Sequence, residues 1–402
     1  MNRREVLAAG AVAGLAVAAT AAEADRAAAL ARLRAANDTL RGYLRELLAK
    51  TKHRLPNGVA VQLPSTGGYV GVWPDDCFYP LMAAPDLVDR AETAGLIGFL
   101  TDSCVGLGRV PDRVEPDGLP VLSPGATNNP PMTDRIPLHL PAAWVRLLDY
   151  AEAFGVAIPR KGDWARLIER SFDQVPLSCG LAYADPQHPP IGFGFHDSIR
   201  ITGFELMSSL MLHRGFQRAG RLFAKEVGPS VAQRWTAQGA AVPANLHRCW
   251  DDQAGGYVGG TRSGRQFSVW ANGLAYSLAD AAHRKTIFAT LSAKREQILL
   301  LGNTRQIAEP SWIGTGGGGS YQNGGFWATG TGYLLPAIWD NDPAWAADLV
   351  TDMTAKLPGL DFAEWIDAAG RPNGARGFLA SVTLPLLGLR AIFENQPLIE
   401  LF

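Results

Sequence analysis

Between residues 25 and 50 the apolar positions Leu30, Leu33, Leu40, Tyr43, Leu44, Leu47 and Leu48 fall three, four and seven apart, with charges between them. That period predicts a helix that buries one face. The same spacing, closed each time by Gly, Pro, Asn or Asp, predicts helices near 86–104, 138–155, 162–173, 198–225, 228–248, 266–283, 284–301, 324–339, 342–356 and 376–395. Alternation of period two is confined to short pieces such as 57–63 and 254–261, between glycines, and predicts small hairpins on one rim. Successive helices joined by loops rich in aromatics, glycine and acids predict an all-α toroid of helical hairpins whose loops form a binding face. One domain over 25–402 is the economical reading.

The residues ahead of the first helix change this picture. Asn2-Arg3-Arg4-Glu5-Val6-Leu7 leads into an Ala/Gly/Val run to Ala22, and Glu23-Ala24-Asp25 follows with small residues at cleavage-compatible spacing. The run is too uniform to be one face of a helix and too short to span a bilayer comfortably. It resembles a twin-arginine export signal over 1–24, which implies a periplasmic or secreted protein with no stable membrane span once the signal is removed. Of the 402 residues, 47% are hydrophobic and 19% charged, as in soluble globular proteins. A net charge of −1 leaves no basic field for nucleic acid or anionic lipid. Cys77, Cys104, Cys179 and Cys249 show no CxxC or Cys/His ligand spacing. An oxidising destination permits disulfides, although a chain that folds before export forms its core with reduced thiols.

Three loops bring acids and aromatics together. Tyr69-Val70-Gly71-Val72-Trp73-Pro74-Asp75-Asp76 sets two carboxylates beside two rings, and either Asp75 or Asp76 could equally cap the helix that follows. Phe193-Gly194-Phe195-His196-Asp197-Ser198-Ile199-Arg200 places Asp197 at an expected helix entrance, where Phe193 and Phe195 would desolvate its carboxyl and keep it protonated. Asp361-Phe362-Ala363-Glu364-Trp365 supplies a second acid at a loop edge. Between them lie Gln266, Trp270, Asn272 and the run Tyr321-Gln322-Asn323-Gly324-Gly325-Phe326-Trp327. A sugar ring stacks its apolar face on aromatics and bonds its hydroxyls to carboxylates and amides, so this recurring mixture suits a small oligosaccharide or glycoside. If Asp197 faced Glu364 across a pocket, one could protonate a glycosidic oxygen while the other activated water.

His139, His188, His196 and His247 belong to no HExxH or other metal pattern, and no GxSxG elbow is present, so no metal site is expected and no cofactor is needed. Gly314 to Gly319 lacks the order of a phosphate-binding loop and reads as a flexible loop over a cleft.

Over roughly Gly68 to Leu387 the chain resembles the six-hairpin (α/α)6 glycosidases, and within them the trehalase and processing α-glucosidase families, which invert at the anomeric carbon. Gly71-Val72-Trp73-Pro74-Asp75-Asp76 resembles their early Tyr/Trp-Asp loop, which binds the terminal sugar. Gly194-Phe195-His196-Asp197-Ser198 resembles the loop of their acid, and Tyr321-Gln322-Asn323-Gly324 with Trp327 resembles a segment that lines their sugar pocket. Glu364 then takes the place of their base. Trp365 and Ile366 replace the usual residues after that base, His196 replaces a Trp, and the arginine set of the trehalases is not evident.

The resemblance implies an inverting hydrolase of a terminal glycosidic bond, α-linked in a small oligosaccharide, with Asp197 as acid and Glu364 as base. Tyr69, Trp73, Asp75, Asp76, Phe195, Arg200, Gln266, Trp270, Tyr321, Gln322, Asn323, Trp327 and Trp365 are the expected sugar contacts. Two rivals stay open: an unsaturated uronyl hydrolase or lyase on the same kind of barrel, and an exported sugar-binding protein without catalysis.

Overall fold

A computed structural model of the chain describes the backbone of residues 3–124, 136–309 and 318–402, and side chains from residue 23 onward. Gly314 to Gly317 of the glycine-rich stretch, and the side chains of the expected signal up to residue 22, lie outside the described residues.

Twelve helices carry the architecture among the described residues: α1 (Arg3–Thr51), α2 (Pro74–Ala83), α3 (Arg90–Cys104), α4 (Leu140–Ala153), α5 (Lys161–Asp173), α6 (Leu206–Leu222), α7 (Pro229–Asn245), α8 (Val269–Ala275), α9 (Ala281–Ala293), α10 (Ala328–Asn341), α11 (Pro343–Lys356) and α12 (Ala380–Phe393). The even-numbered helices form a closed inner ring, in which α2 meets α4, α4 meets α6, α6 meets α8, α8 meets α10, α10 meets α12, and α12 returns to α2. The odd-numbered helices lie outside; α1 packs on α11 and α12, and α7 on α6. Inner helices read as buried almost all round: every residue of α8 and eleven of the fourteen in α12 are buried. Outer helices bury one stripe, as α1 does with Ala29, Leu33, Ala36, Leu40, Leu44 and Leu47.

The ring closes tightly because of glycine. A Cβ on Gly332 of α10 would lie 2.1 Å from the Leu384 carbonyl oxygen of α12, and one on Gly388 of α12 would lie 2.5 Å from the Gly332 carbonyl oxygen. No side chain fits at that crossing.

Helix α1 runs continuously from Arg3, but Glu23–Ala28 are exposed and the buried stripe starts at Ala29. Removing residues 1–24 would therefore leave every described core contact of α1 in place. No helix among the described residues is long and apolar enough to cross a membrane.

Several predicted boundaries move. The helix expected over 198–225 starts only at Leu206, because Ile199 and Ile201 alternate into a small apolar cluster with Ile307 instead of following a helical face. Glu205 is its true N-cap, accepting from the Ser208 amide. The stretch expected over 266–283 holds only α8 and a single 3-10 turn before Asp280 caps α9. Helix α2 has no counterpart among the predicted helices, since Pro74 and Pro80 break its pattern. Pairing at 57–63 and 254–261 is present, with Lys52–Arg54 against Ala60–Gln62 and Trp250–Asp251 against Gly256–Tyr257.

Candidate active site

A cavity of about 510 Å³ opens at the rim where the inner helices begin. Asp75 and Asp76 open α2, His139 and Leu140 open α4, and Asp197, Tyr321, Glu364 and Phe378 come from the segments ahead of α6, α10 and α12. Helix N-termini carry partial positive charge, so this rim tolerates a concentration of carboxylates.

Glu364 is buried, 3% exposed, and aimed at the cavity by a constrained turn. Asp361 and Phe362 both adopt left-handed φ values, 53° and 48°, just before it. Such backbone costs about 1–3 kcal/mol per residue and persists only where the surroundings enforce it. Gly374 is required opposite, because a Cβ there would sit 2.4 Å from Glu364 Oε2. Oε2 accepts the Ala375 amide at 3.0 Å, and Oε1 accepts the Tyr69 hydroxyl at 2.9 Å. Burial raises the Glu364 pKa, while the Ala375, Tyr69 and Tyr321 donors favour the charged form and hold the rise in check.

Asp197 closes a 3-10 turn, Gly194–His196, and the next helix starts only at Leu206, so it is not a helix N-cap. Its Oδ1 accepts the Gln322 side-chain N–H. Burial is the main cause that pushes its pKa up to about 6; the Gln322 bond opposes this, while Asp112 and Glu364 add to it. A carboxyl in that range holds a proton at mildly acidic pH and can give it away.

The two acids of α2 have opposite environments. Asp75 is stabilised by His139 Nε2 on Oδ2 at 3.0 Å and by Arg146 Nη2 on Oδ1 at 3.1 Å. Burial works against its charge, but these partners outweigh it and its pKa lies below the ordinary carboxylate range. Arg146 is fully buried, with its guanidinium 4.7 Å from the Phe78 ring centre and 5.5 Å from that of Phe402. Asp76 has no such support. Its Oδ1 is buried without a hydrogen-bond partner among the described residues, and burial, followed by Asp75, Glu364 and Asp112, drives its pKa well upward. Trp73, not either aspartate, is the N-cap of α2.

One wall comes from the hairpin Arg113–Val114 and Pro120–Val121. Arg113 bridges Asp112 and Glu115 at 3.2 and 2.8 Å and lies 5.2 Å from the centre of the Trp73 ring, whose Nε1 donates to Asp112. Tyr69 meets Trp73 edge-on at 5.6 Å, giving two rings and a planar cation beside the acids.

No family model and no curated protein sequence matches the chain. Solved structures do match in shape. GH63 mannosylglycerate hydrolase from Thermus thermophilus, in complex with glucose, is similar with a TM-score of 0.58 over 86% of this chain and 99% of that one, at 16% identity. Glucoamylase from Saccharomycopsis fibuligera gives 0.56 over 90% of this chain and 96% of that one, at 10% identity. A rhamnosidase from Klebsiella oxytoca with rhamnose bound gives 0.56 over 89% and 63%, at 13% identity. The chain has the six-hairpin (α/α)6 fold.

On this six-hairpin toroid, Tyr69, Trp73, Asp75, Asp76, Phe195, Asp197, Tyr321 and Glu364 all line one cavity. Other expected sugar contacts do not line it. Arg200 is exposed and donates to the Pro186 carbonyl, and Gln266 accepts the Glu309 amide at 3.0 Å. Trp270 and Trp327 are core residues behind Phe195, and Trp270 stacks on Tyr333. Gln322 and Asn323 are buried at 1% and 3% exposure, and Trp365 packs against Tyr321 from outside the lining. In an inner ring whose helices are buried all round, an aromatic ahead of a helix has core on most sides. Helical entrance alone therefore cannot separate lining from core. Asp112, Arg113, Glu115 and His139 escape sequence reasoning, because a charged hairpin and an isolated histidine look like ordinary surface until the ring brings them to Trp73 and Asp75. No cluster of His, Cys, Asp or Glu suited to a metal occurs among the described residues.

Proposed function

We propose that the protein is a glycoside hydrolase that cleaves a terminal, α-linked sugar from a small oligosaccharide with inversion, using Asp197 as acid and Glu364 as base. The observation that carries this reading is the pairing, in one aromatic-walled cavity, of a carboxyl raised to about 6 with a second carboxyl held by three donors. The fold supports it, since similar structures include a mannosylglycerate hydrolase, a glucoamylase and a rhamnosidase. Asp197 gives its proton to the glycosidic oxygen as the bond to the anomeric carbon breaks, and the bonding electrons leave with that oxygen. Water attacks the opposite face of the carbon and passes a proton to Glu364. Such a mechanism calls for a carboxyl separation of about 6.5–9.5 Å.

Charge favours a sugar without a carboxylate. Asp75, Asp76, Asp112, Glu115, Asp197 and Glu364 line the cavity against Arg113 and His139, and Arg113 is already bridged by two carboxylates. Even with Asp76 and Asp197 protonated, Asp75, Asp112, Glu115 and Glu364 outnumber Arg113 and His139 among the described lining residues, and an unsaturated uronide would add a further negative charge.

We also infer export through the twin-arginine signal over 1–24. N-terminal sequencing of the protein from the periplasm would give a start near residue 25, whereas an intact Met1 would overturn it.

The test is proton NMR of the anomer first released from α- and β-linked oligosaccharides and from unsaturated uronides. Release of the anomer opposite to the bond cleaved, lost in Asp197→Asn and in Glu364→Gln, is the expected result. Retention would sink the pairing, and binding without turnover would mean a sugar-binding protein.

A further inference from the structure

We propose that Gln322 is a positioning residue that decides which oxygen of Asp197 carries the catalytic proton. The inference rests on the reading of Asp197 as the acid. It starts from an amide whose orientation the surrounding bonds determine. Gln322 Oε1 lies 2.8 Å from the backbone N of Ser198 and 2.8 Å from its hydroxyl. A backbone N–H can only donate, so the atom facing it is the carboxamide oxygen. The other end of the amide, Nε2, then faces Asp197 Oδ1. An amide N–H donates to whatever it meets, so Oδ1 is an acceptor whether or not Asp197 is ionised. The proton of the neutral acid is left to Oδ2.

The backbone makes this arrangement rigid. Tyr321 adopts a left-handed φ of 45°, and the turn is closed by bonds from the Gly325 amide to the Tyr321 carbonyl and from the Gly319 amide to the Asn323 carbonyl, both 2.8 Å. That turn sends consecutive side chains in different directions: Tyr321 lines the cavity, and Gln322 lies buried behind Asp197, outside the lining. Gln322 therefore touches the acid and not the sugar. When Asp197 gives up its Oδ2 proton to the leaving oxygen, the Gln322 N–H is already in place to stabilise the charge that appears on the carboxylate, with no reorganisation. The bond also favours the ionised form, which keeps burial from raising the acid so far that it would not release its proton.

The experiment compares wild type with Gln322→Leu, which removes the donor, and Gln322→Glu, which keeps the shape but places a second carboxyl against Asp197. Carboxyl-labelled aspartate NMR reads the titration of Asp197 directly, with Asp197→Asn assigning the signal, and steady-state kinetics give kcat and KM across pH. In Gln322→Leu we expect kcat to fall about 10–100-fold with KM within about threefold, and the Asp197 titration to move up by about one pH unit. Gln322→Glu should move it further up, as two facing carboxyls share a proton. A raised KM with an unmoved titration would make Gln322 a sugar contact and overturn the proposal. Should Gln322→Leu fail to fold, an unmoved titration in Gln322→Glu would overturn it equally. Full activity in Asp197→Asn would instead reject the acid assignment, while the NMR titration would still report whether Gln322 holds that carboxyl.

Discussion

The hydroxyl of Tyr69 donates to Oε1 of Glu364 at 2.9 Å, across 295 positions of chain. The bond stabilises the ionised glutamate, which is the form that the proposed base requires. Tyr69→Phe removes the donor and keeps the ring that meets Trp73. The Glu364 pKa should then rise further, so the acidic limb of the kcat profile should move to higher pH by about one pH unit. A pH-rate profile of the variant checks this; an unmoved acidic limb would mean that Glu364 is not the base.

Asp197 should cost stability at the pH where it is ionised. Its folded pKa of about 6 lies above the ordinary 3.8, so the folded state holds the proton more tightly. That contribution is fully present below about 3.8 and is lost as pH rises through about 6. Asp197→Asn, which removes a half-buried charge and keeps an acceptor for Gln322, should therefore stabilise the fold at pH 7.5 by about 2 kcal/mol while lowering kcat by about 10²–10⁴-fold. Urea unfolding at pH 7.5 and pH 4 reads the difference, and an equal effect at both would refute it.

Arg146 and Asp75 should behave as one unit. Arg146→Met leaves the Asp75 carboxylate with only His139 in a buried setting and should destabilise by about 3 kcal/mol. The double variant Arg146→Met with Asp75→Asn should cost less than the sum of the two single changes, with a coupling of at least about 1 kcal/mol. Strictly additive costs in urea unfolding would show that the pair is not coupled.

Gly332→Ala tests the closure of the ring. The new methyl would meet the Leu384 carbonyl, a backbone atom that cannot swing aside, so the change should cost about 3 kcal/mol or more. Gly359→Ala, at a position with nothing within 4 Å, is the control and should be close to neutral. Thermal melting of both variants separates the two cases.

Much of this architecture is legible because outer helices such as α1 expose one face and bury the other, which writes a 3.6-residue period into the sequence. Helix α2 is not, since Pro74 and Pro80 sit inside a helix that tertiary packing stabilises regardless. The carboxylates at 75, 76, 197 and 364 stand out because each sits beside aromatics. Arg146 does not, because a charge inside a helix reads as a solvent-facing position. Only the ring brings it under Asp75. Gln322 reads as a sugar contact for a related reason: the sequence identifies an amide near the pocket, but which way the Tyr321 turn throws it is a matter of one left-handed residue.

The cavity sits on a seam of the ring. Gly67 pairs with Arg376, Tyr69 bonds to Glu364, and α2 lies against α12, so one wall is made by the first and last inner segments together. A growing chain therefore presents Asp197 long before it can present Glu364 opposed to Tyr69, and the pair exists only after α12 has docked. Completion of this carboxylate pair is in this sense a late event in the life of the molecule. A chain that ends before α12 carries Asp197 but lacks the wall that sets Glu364 against Tyr69, so the appearance of that bond would time the closure of the ring.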